Sequence, residues 1–284
     1  MPHSPLATPS ATLDVLARHG LRTRKALGQH FLVDDNVVGR ILTLAALRGD
    51  ECVVEVGPGI GTLTAALCRA AGSVLAVEKD AALLPALEET IAACGNVRIV
   101  RADAAGMDVR ELGEPEALVA NLPYNVAATV VLRFFETIPS LASATVMVQA
   151  EVADRMAASP GGRDYGAYTV KLGLLARSAG RFAVPRTCFL PPPRVDSAVL
   201  RLERAPRDEP PELLRAAAAA ANAAFAQRRK TLRNSLSSAL SQPTSMIEET
   251  LRSCGIDGSR RAETLDVDEY VTLGAVLRET GVLP

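Results

Sequence analysis

Four consecutive residues in the middle of the chain could hold an amino group for chemistry. The sequence Asn-Leu-Pro-Tyr at 121–124 follows an apolar run that is typical of a β-strand. The Asn121 side-chain oxygen and the Leu122 carbonyl form an acceptor pair, and Pro123 stiffens the turn. Such a pair can hold the two N–H groups of a base amine, such as adenine N6, as its nitrogen becomes positive. Tyr124 can stack on the base, although ordinary packing after a proline turn is the alternative interpretation.

A second candidate is the segment Glu-Val-Gly-Pro-Gly-Ile-Gly at 55–61, between a predicted strand and a predicted helix. Glycines at 57, 59 and 61 would let a bound nucleoside approach the backbone more closely than any Cβ permits. A dinucleotide-binding loop is the alternative. That pattern requires Gly or Ala three residues after Gly59, where this chain has Thr62.

The charge around this loop favours a cationic ligand. Residues 50–123 hold twelve acidic and five basic side chains, whereas a pyrophosphate favours a neutral or positive environment. S-adenosylmethionine carries a sulfonium and an ammonium and has no phosphate, so it fits this balance. Glu55 begins the loop. Glu78 and Asp103 follow successive predicted strands, where they could accept the ribose hydroxyls and the adenine amine. Solvated carboxylates at strand ends are the alternative.

The elements that must position these residues alternate along the chain. Short apolar strands alternate with helices, which predicts an α/β fold: a Rossmann-like parallel sheet with helices on both faces. Two later apolar segments are predicted as an antiparallel pair at one edge. The predicted strands are 52–56, 73–77, 97–100, 117–120, 144–148, 180–184 and 195–202, and the predicted helices before residue 100 are 12–19, 36–47, 62–71 and 81–93.

A Pro-rich break at 205–211 indicates a linker. Beyond it the segments 212–240, 244–253 and 267–279 read as helices. We therefore expect a flexible N-terminal segment with a short helix over 1–24, an α/β domain over 25–205, and a small all-α domain over 206–284.

Composition excludes several classes of protein. With 284 residues, of which 48% are hydrophobic and 22% charged, the chain is neither wholly disordered nor low in complexity. Five widely spaced cysteines without a CxxC disfavour disulfides and a metal site and indicate a reducing cytosol. The sequence shows no secretory signal and no uncharged apolar run of about 18 residues, so we expect no membrane partner. A cytoplasmic monomer is the default expectation.

The whole chain resembles the ribosomal RNA adenine N6,N6-dimethyltransferase family. The resemblance begins at Lys-Ala-Leu-Gly-Gln-His-Phe-Leu, 25–32, and includes the glycine loop, Glu78, Asp103 and the 121–124 tetrapeptide. It continues through Arg-Asp-Tyr-Gly at 163–166 and Phe-Leu-Pro-Pro-Pro-Arg-Val-Asp-Ser-Ala-Val at 189–199. It ends with the motifs at 225–234 and 261–265, which are typical of the branch that acts on small-subunit RNA.

The resemblance implies that S-adenosylmethionine methylates N6 of two adjacent adenines in a hairpin loop of 16S-type rRNA, giving N6,N6-dimethyladenosines during small-subunit biogenesis. It implies that His30 and Leu32 contact the cofactor, although many relatives have Asn at position 30. Phe189 resembles the family's second aromatic residue, which would clamp the base against Tyr124. A core Phe is the alternative.

Basic residues are concentrated where an RNA could bind. The net charge of −1 alone argues against a nucleic-acid partner, but residues 155–194 hold seven bases and one acid. Residues 18–25 add four bases and no acid. A third basic cluster spans 228–233. The candidate RNA-binding residues are Arg22, Arg24, Lys25, Arg155, Arg163, Arg186, Arg194, Arg228 and Lys230.

Three other functions remain open from the sequence. The protein could act mainly as a ribosome-assembly factor that binds the immature small subunit. It could methylate large-subunit rRNA instead. An NAD-dependent oxidoreductase is disfavoured by the loop spacing and by the lack of an evident hydride-transfer residue.

Overall fold

The computed structural model describes residues 2–21, 30–205 and 207–283. Its strands alternate with helices in the first two thirds of the chain, as the apolar periodicity predicts. The strands are β1 (Phe31–Leu32), β2 (Cys52–Val56), β3 (Ser73–Glu78), β4 (Val97–Arg101), β5 (Ala117–Asn121), β6 (Ser143–Gln149), β7 (Ala176–Val184), β8 (Phe189–Leu190) and β9 (Ser197–Arg204).

Helices follow most of these strands and dominate the last third of the chain. Within the described residues, no helix combines the length and the apolar character needed to cross a membrane. The helices are α1 (Pro9–Arg18), α2 (Asp35–Ala45), α3 (Thr64–Ala70), α4 (Leu84–Thr90), α5 (Ala127–Thr137), α6 (Ala150–Met156), α7 (Ala167–Gly173), α8 (Pro211–Phe225), α9 (Leu232–Leu240), α10 (Thr244–Ser253) and α11 (Val267–Glu279).

Seven strands form one sheet in the order β4-β3-β2-β5-β6-β9-β7. The five strands from β4 to β6 are parallel, and β9 runs antiparallel to β6. Strand order reverses between β2 and β5, where successive crossovers leave in opposite directions. In parallel sheets a ligand crevice opens at such a point, outside the carboxyl ends of the strands. The predicted α/β class is confirmed, and all seven predicted strands are present with boundaries within a few residues.

Sequence periodicity missed three helices, namely α5, α6 and α7. Two of them have only seven residues, which is too short for a repeating apolar pattern. The eleven residues of α5 follow directly from the Asn-Leu-Pro-Tyr turn. The Pro123 carbonyl accepts hydrogen bonds from the backbone N–H groups of Val126 and Ala127, both at 3.1 Å, and so starts the helix.

The chain divides into two compact units. The first contains residues 1–153 and 178–204, and the second contains 154–177 and 205–284. The sequence-based division leaves 154–177 with the α/β domain. In the structure this segment packs with the helices, because Tyr165 and Val170 are buried in the same apolar cluster as Leu236 and Tyr270. The linker signal at 205–211 could not reveal a segment contributed from earlier in the chain.

The N-terminal residues differ from the expected flexible segment. Residues 2–21 are folded, and α1 is capped by the Thr8 side chain. The Asp35 carboxylate accepts hydrogen bonds from the backbone N–H groups of His3 (3.0 Å) and Ser4 (2.7 Å). Val15 and Leu16 are buried with Ile60 and other residues of the first unit, so α1 belongs to its core.

The structure contains a disulfide, whereas the number and spacing of the cysteines disfavour one. Cys68 on α3 and Cys94 after α4 form a disulfide with a Cα–Cα distance of 6.0 Å. Their separation of 26 residues carries no spacing signature, since the tertiary fold brings the pair together. Cys52, Cys188 and Cys254 are free thiols. In a reducing compartment the paired sulfur atoms would also be thiols.

The helical unit depends on a close approach between α8 and α11. Six alanines of α8 are buried, which leaves little side-chain volume on the facing surface. A Cβ built at Gly274 in α11 would lie 2.7 Å from the carbonyl carbon of Ala216 and closer still to the backbone nitrogen of Ala217. These neighbours are backbone atoms, which cannot rotate away.

Replacing Gly274 with Ala should therefore destabilise the protein. Helix propensity alone favours Ala by about 1 kcal/mol. We expect the clash to outweigh this gain and to lower the free energy of unfolding by roughly 1–3 kcal/mol. Denaturant unfolding followed by circular dichroism measures the change. Gly95→Ala is the control, because Gly95 lies outside the helices and a Cβ there would meet no atom within 4 Å; equal stability of the two variants would contradict this packing argument.

Candidate nucleoside and base-amine site

A cavity of about 360 Å³ lies at the carboxyl ends of the central strands. It is lined by the ends of β2, β3 and β5 and by the loops that follow them, at the reversal of strand order. The candidate residues that line it are His30, Leu32, Glu55, Gly57, Gly59, Glu78, Asp103, Asn121, Leu122, Pro123 and Tyr124. The topology therefore brings together residues from five separate segments of the sequence: 25–32, 55–61, Glu78, Asp103 and 121–124.

The glycine loop approaches the cavity with bare backbone. Gly57 and Gly59 have φ angles of +73° and +62°, a region that side chains rarely adopt. A Cβ at Gly57 would lie 3.2 Å from Pro123 Cδ, and one at Gly59 would lie 3.3 Å from a ring carbon of Phe31. Gly61 differs: it does not line the cavity, and its Cβ would lie 2.8 Å from the Thr90 hydroxyl oxygen. Its position indicates tight packing of the loop against residues 87–91.

Glu78 ties the glycine loop to the end of β3. One carboxylate oxygen accepts the Gly59 N–H at 3.2 Å, and the other accepts the Asp80 N–H at 2.8 Å. The side chain is buried, and burial raises the pKa of Glu78 while the backbone N–H donors oppose that rise. The carboxylate thus fixes the loop and still lines the cavity.

Glu55 is the most deeply buried carboxyl group of the cavity. It is 1% exposed, and among the described residues its Oε2 atom has no hydrogen-bond partner. Burial raises the pKa of Glu55 to about 8; the Thr64 side chain opposes this rise, and the nearby charge of Glu78 adds to it. A buried acceptor without a partner at the edge of a cavity is an open position for a donor or cation.

Asp103 already has a cationic partner. Its carboxylate accepts a hydrogen bond from Lys79 Nζ at 2.7 Å, and this contact lowers the pKa of Asp103. The other carboxylate oxygen accepts the backbone N–H of Ala105 at 3.1 Å. Lys79 and Asp80 also line the cavity, and sequence reasoning missed both of them. Their position directly after Glu78 is the sequence feature that could have identified them.

The Asn-Leu-Pro-Tyr turn is held from both sides. Asn121 Nδ2 donates to the His30 carbonyl at 3.2 Å, so the amide turns its acceptor oxygen away from that contact. The Leu122 N–H donates to the Met147 carbonyl of β6 at 3.1 Å. The Tyr124 hydroxyl lies 2.7 Å from Ser197 Oγ, and burial raises the pKa of Tyr124. Sequence reasoning did not find Ser197.

Phe189 does not line the cavity, so the expected base clamp between Phe189 and Tyr124 is not present. The residue is 2% exposed and belongs to the main apolar cluster of the first unit. In the sheet of two strands it pairs with Leu32. Its ring therefore offers no face to a base, and the alternative of a core Phe describes its position. The aromatic side chain that stacks on Tyr124 is instead His30, with ring centroids 5.7 Å apart.

The candidate RNA-binding residues have different environments. Arg22, Arg24 and Lys25 lie outside the described residues. Arg228 donates to the backbone carbonyls of Arg163 and Tyr165 and lies 3.8 Å from Glu263, so its guanidinium has a structural role. The remaining candidates are exposed: Arg155, Arg163, Arg186, Arg194 and Lys230. The described residues contain no group of three or more potential metal ligands.

Two solved structures share the fold of this chain over most of its length. A dimethyladenosine transferase from Plasmodium falciparum matches with a TM-score of 0.76 and 20% identity, over 89% of this chain and 98% of that chain, which shows the shared fold. The 23S rRNA methyltransferase ErmE matches with a TM-score of 0.66 and 29% identity, over 87% of this chain and 99% of that chain. The fold and the cavity define a Rossmann-like methyltransferase.

The chain belongs to the ribosomal RNA adenine dimethylase family, whose model matches residues 20–278. A ribosomal RNA small subunit methyltransferase A from Geobacillus thermodenitrificans is 40% identical, over 97% of this chain and 98% of that protein. The protein of the same description from Pelotomaculum thermopropionicum is 42% identical, over 97% of this chain and 98% of its own length. These matches confirm the resemblance carried by the sequence motifs.

The buried Glu55 carboxyl predicts a specific dependence of stability on pH. Since its pKa is about 8 in the folded protein and 4.5 for an ordinary glutamate, the folded state retains a proton that the unfolded chain releases between these pH values. The free energy of unfolding should therefore fall from pH 4.5 to 8, by about 1.4 kcal/mol per unit of pKa difference.

Glu55→Gln should remove the pH dependence that Glu55 adds to the free energy of unfolding. Urea unfolding of wild type and variant at pH 5 and pH 8 measures this difference. The variant should lose less stability than the wild type as the pH rises. Glu88→Gln, which removes an exposed carboxylate, is the matched control. Equal pH slopes for wild type and Glu55→Gln would show that Glu55 ionises as in the unfolded chain.

Proposed function

We propose that the protein transfers methyl groups from S-adenosylmethionine to N6 of two adjacent adenines in a hairpin loop of small-subunit rRNA. The products are N6,N6-dimethyladenosines, and the reaction belongs to small-subunit biogenesis. The observation that carries the proposal is the placement of the Asn121 amide and the Leu122 backbone beside a cavity that Glu55, Glu78 and Asp103 also line. Family membership and the descriptions of the 38–42% identical relatives support the same reaction.

The cavity fits S-adenosylmethionine, which supplies an activated methyl group when bound. Gly57 and Gly59 provide bare backbone, and a Cβ on either would crowd a neighbouring ring at 3.2–3.3 Å. Glu55 offers a buried acceptor that has no partner among the described residues. A cation at that position favours the ionised carboxylate, so Glu55 would release its proton as it accepts the ligand.

Two further carboxylates suit the nucleoside half of the cofactor. We assign Glu78 to the ribose hydroxyls, since its oxygens lie at the end of β3 and are oriented by backbone N–H groups. We assign Asp103 to the adenine amine. Because Asp103 is paired with Lys79, the ligand must share its carboxylate or displace the ammonium group. Leu32 and His30 complete the wall of the cavity.

The amine of the target base would be held by Asn121 and Leu122. The hydrogen bond from Asn121 Nδ2 to the His30 carbonyl leaves Oδ1 as the acceptor for an amine N–H. Preorganised acceptors stabilise positive charge that develops on nitrogen without any cost of reorientation. Tyr124 would stack on the base, as aromatic residues do with single-stranded loop bases in RNA recognition. No side-chain nucleophile is required.

The exposed bases Arg155, Arg163, Arg186, Arg194 and Lys230 would contact RNA phosphates. Arg228 is a weaker candidate, because its guanidinium already donates to two backbone carbonyls. Arg22, Arg24 and Lys25 remain candidates from the sequence. Phosphate contacts position an RNA without reading its sequence, so the choice of adenines would depend on the cavity.

The small-subunit assignment is favoured over methylation of large-subunit rRNA. The small-subunit relatives share 38–42% identity with this chain, whereas the large-subunit enzyme ErmE shares 29%. A role mainly in subunit assembly is compatible with the same RNA contacts.

We place the protein in the cytoplasm, where its substrate is found, and away from membranes. Leu13 and Val195 are the only large apolar residues exposed in the described ranges, which supports a monomer.

Asn121→Ala should nearly abolish methyl transfer. Loss of one preorganised hydrogen-bonding group at a reacting centre costs about 100- to 1,000-fold in turnover. The assay follows labelled S-adenosylmethionine on undermethylated small subunits, with separated large subunits as the alternative substrate. Cofactor affinity, measured by calorimetry, should change only a few-fold.

Asn222→Ala on α8 is the matched control, because Asn222 is exposed in the other unit. Normal turnover of Asn121→Ala would refute the proposed role of Asn121, and label on large subunits alone would favour the ErmE-type substrate. A variant without activity that still supports subunit maturation would favour the assembly function.

RNA affinity should fall steeply with salt concentration, while cofactor affinity should change much less, because phosphate contacts release condensed counterions. Filter binding of undermethylated small subunits between low and physiological salt measures the slope. Arg194→Gln should weaken binding and reduce the slope by about 1. Arg110→Gln is the control, since Arg110 is paired with Asp108 at 2.9 Å. An unchanged slope for Arg194→Gln would exclude Arg194 from the RNA contact.

A further inference from the structure

Tyr124 is held at two separate points. At the tip of the ring, the hydroxyl lies 2.7 Å from Ser197 Oγ. On one face of the ring, the His30 imidazole stacks with a centroid distance of 5.7 Å and an interplanar angle of 26°. A phenol ring turns about its Cβ–Cγ bond, so a contact on its face and a bond at its tip together restrict both its rotation and its tilt.

The first point is anchored in the sheet. Ser197 is 0% exposed and is the first residue of β9, where it pairs with Gln149 of β6. The backbone of Ser197 is therefore fixed by the antiparallel ladder. A buried hydroxyl requires a hydrogen-bond partner, and the Tyr124 hydroxyl is that partner. The bond transmits the rigidity of the sheet to a ring on the cavity wall.

The second point is anchored by a backbone carbonyl. His30 Nδ1 lies 2.7 Å from the carbonyl oxygen of Pro191. Because a carbonyl oxygen only accepts, Nδ1 carries the hydrogen, and in the neutral imidazole the lone pair is on Nε2. The His30 carbonyl also accepts the Asn121 side-chain N–H at 3.2 Å. One residue therefore contacts both the acceptor amide and the stacking ring of the proposed base site.

The imidazole also decides which face of Tyr124 remains for a base. A ring has two faces, and His30 occupies one of them. Centroid distances of 4.5–7 Å are typical of stabilising aromatic pairs, so this contact orients the ring as well as covering it. An Asn side chain at this position could make a polar contact but has no ring. The stacking contact is thus specific to chains with an aromatic residue here.

We propose that Ser197 and His30 are positioning residues that hold the Tyr124 ring in the orientation in which it stacks on the target adenine. The inference rests on the proposed methyl transfer for its functional consequence. The clamp itself is a property of the protein alone and is tested without a substrate. Neither residue touches the reacting atoms; both act through Tyr124.

The first test is a double-mutant cycle on the hydroxyl pair. Ser197→Ala and Tyr124→Phe each remove one partner of the same bond, and both keep the shape of the side chain. We expect each single variant to lower kcat on undermethylated small subunits by roughly 3- to 10-fold, the value of one hydrogen bond. The double variant should be no slower than the slower single variant. Independent losses that multiply in the double variant would overturn the proposal for Ser197.

The second test separates the ring of His30 from its polar atoms. His30→Asn retains a polar group and removes the ring, whereas His30→Phe retains a ring and removes the bond to Pro191. We expect His30→Asn to lower kcat roughly 3- to 10-fold at saturating cofactor, the value of one aromatic pair, and His30→Phe to recover part of that loss. Wild-type kcat in His30→Asn, or a Phe variant no better than the Asn variant, would overturn the stacking role. A loss confined to cofactor affinity would assign His30 to the cofactor instead.

The third measurement needs no RNA and no turnover. In protein with ¹³C-labelled tyrosine, the Tyr124 ring signals are assigned by their loss in Tyr124→Phe. Ring flips should be faster in His30→Asn than in the wild type, because the imidazole lies against the ring face. In Ser197→Ala the lost bond lies on the flip axis, so there we expect a shift of the Tyr124 Cζ signal instead. Unchanged flip rates in His30→Asn together with an unshifted Cζ signal in Ser197→Ala would refute the clamp, whatever the substrate proves to be. Restricted flips together with no methyl transfer by the wild type would refute the proposed function and leave the clamp intact. Thermal unfolding of each variant shows that it is folded.

Discussion

The close contact between Gly57 and Pro123 is the constraint on which the proposed site depends. A Cβ at position 57 would lie 3.2 Å from Pro123 Cδ and would push the Asn-Leu-Pro-Tyr turn back by a few tenths of an ångström. The φ angle of +73° at Gly57 also disfavours any side chain there. The Gly57 N–H donates to the Val77 carbonyl at 2.9 Å, which fixes the loop to β3. The distance between the cofactor side and the amine side is thus set by backbone packing.

The sheet topology makes this contact possible for residues that are far apart in sequence. The glycine loop follows β2, and the Asn-Leu-Pro-Tyr turn follows β5. These two strands are neighbours in the sheet, at the point where the strand order reverses. Their carboxyl ends meet at one edge, where the crossover helices leave in opposite directions and open a crevice. Methyl transfer requires donor and acceptor to be held together, and a shared wall of two packed loops provides that arrangement at little entropic cost.

The sequence predicts the strands, the sheet class and most of the cavity because those features depend on local patterns. Apolar runs reveal β2 to β6, and polar residues directly after them are placed at one edge by any parallel sheet. Phe189, Gly61 and Ser197 could not be placed in this way. Whether Phe189 faces a base or the core depends on its pairing with Leu32, and the packing of Gly61 depends on Thr90. Both are contacts between segments that no local pattern specifies.

The charge of the cavity also differs from the charge counted along the sequence. Twelve acidic and five basic residues in 50–123 suggest a strongly negative site. In the structure Lys79 compensates Asp103, and Glu55, with a pKa of about 8, is mostly protonated at neutral pH. Much of the negative charge beside a bound cationic cofactor would therefore develop only when the cofactor binds and Glu55 ionises. A buried neutral carboxyl has a smaller desolvation cost than a buried carboxylate. The protonated Glu55 therefore destabilises the empty protein less than an ionised Glu55 would, and it can still become an anion when a cation binds.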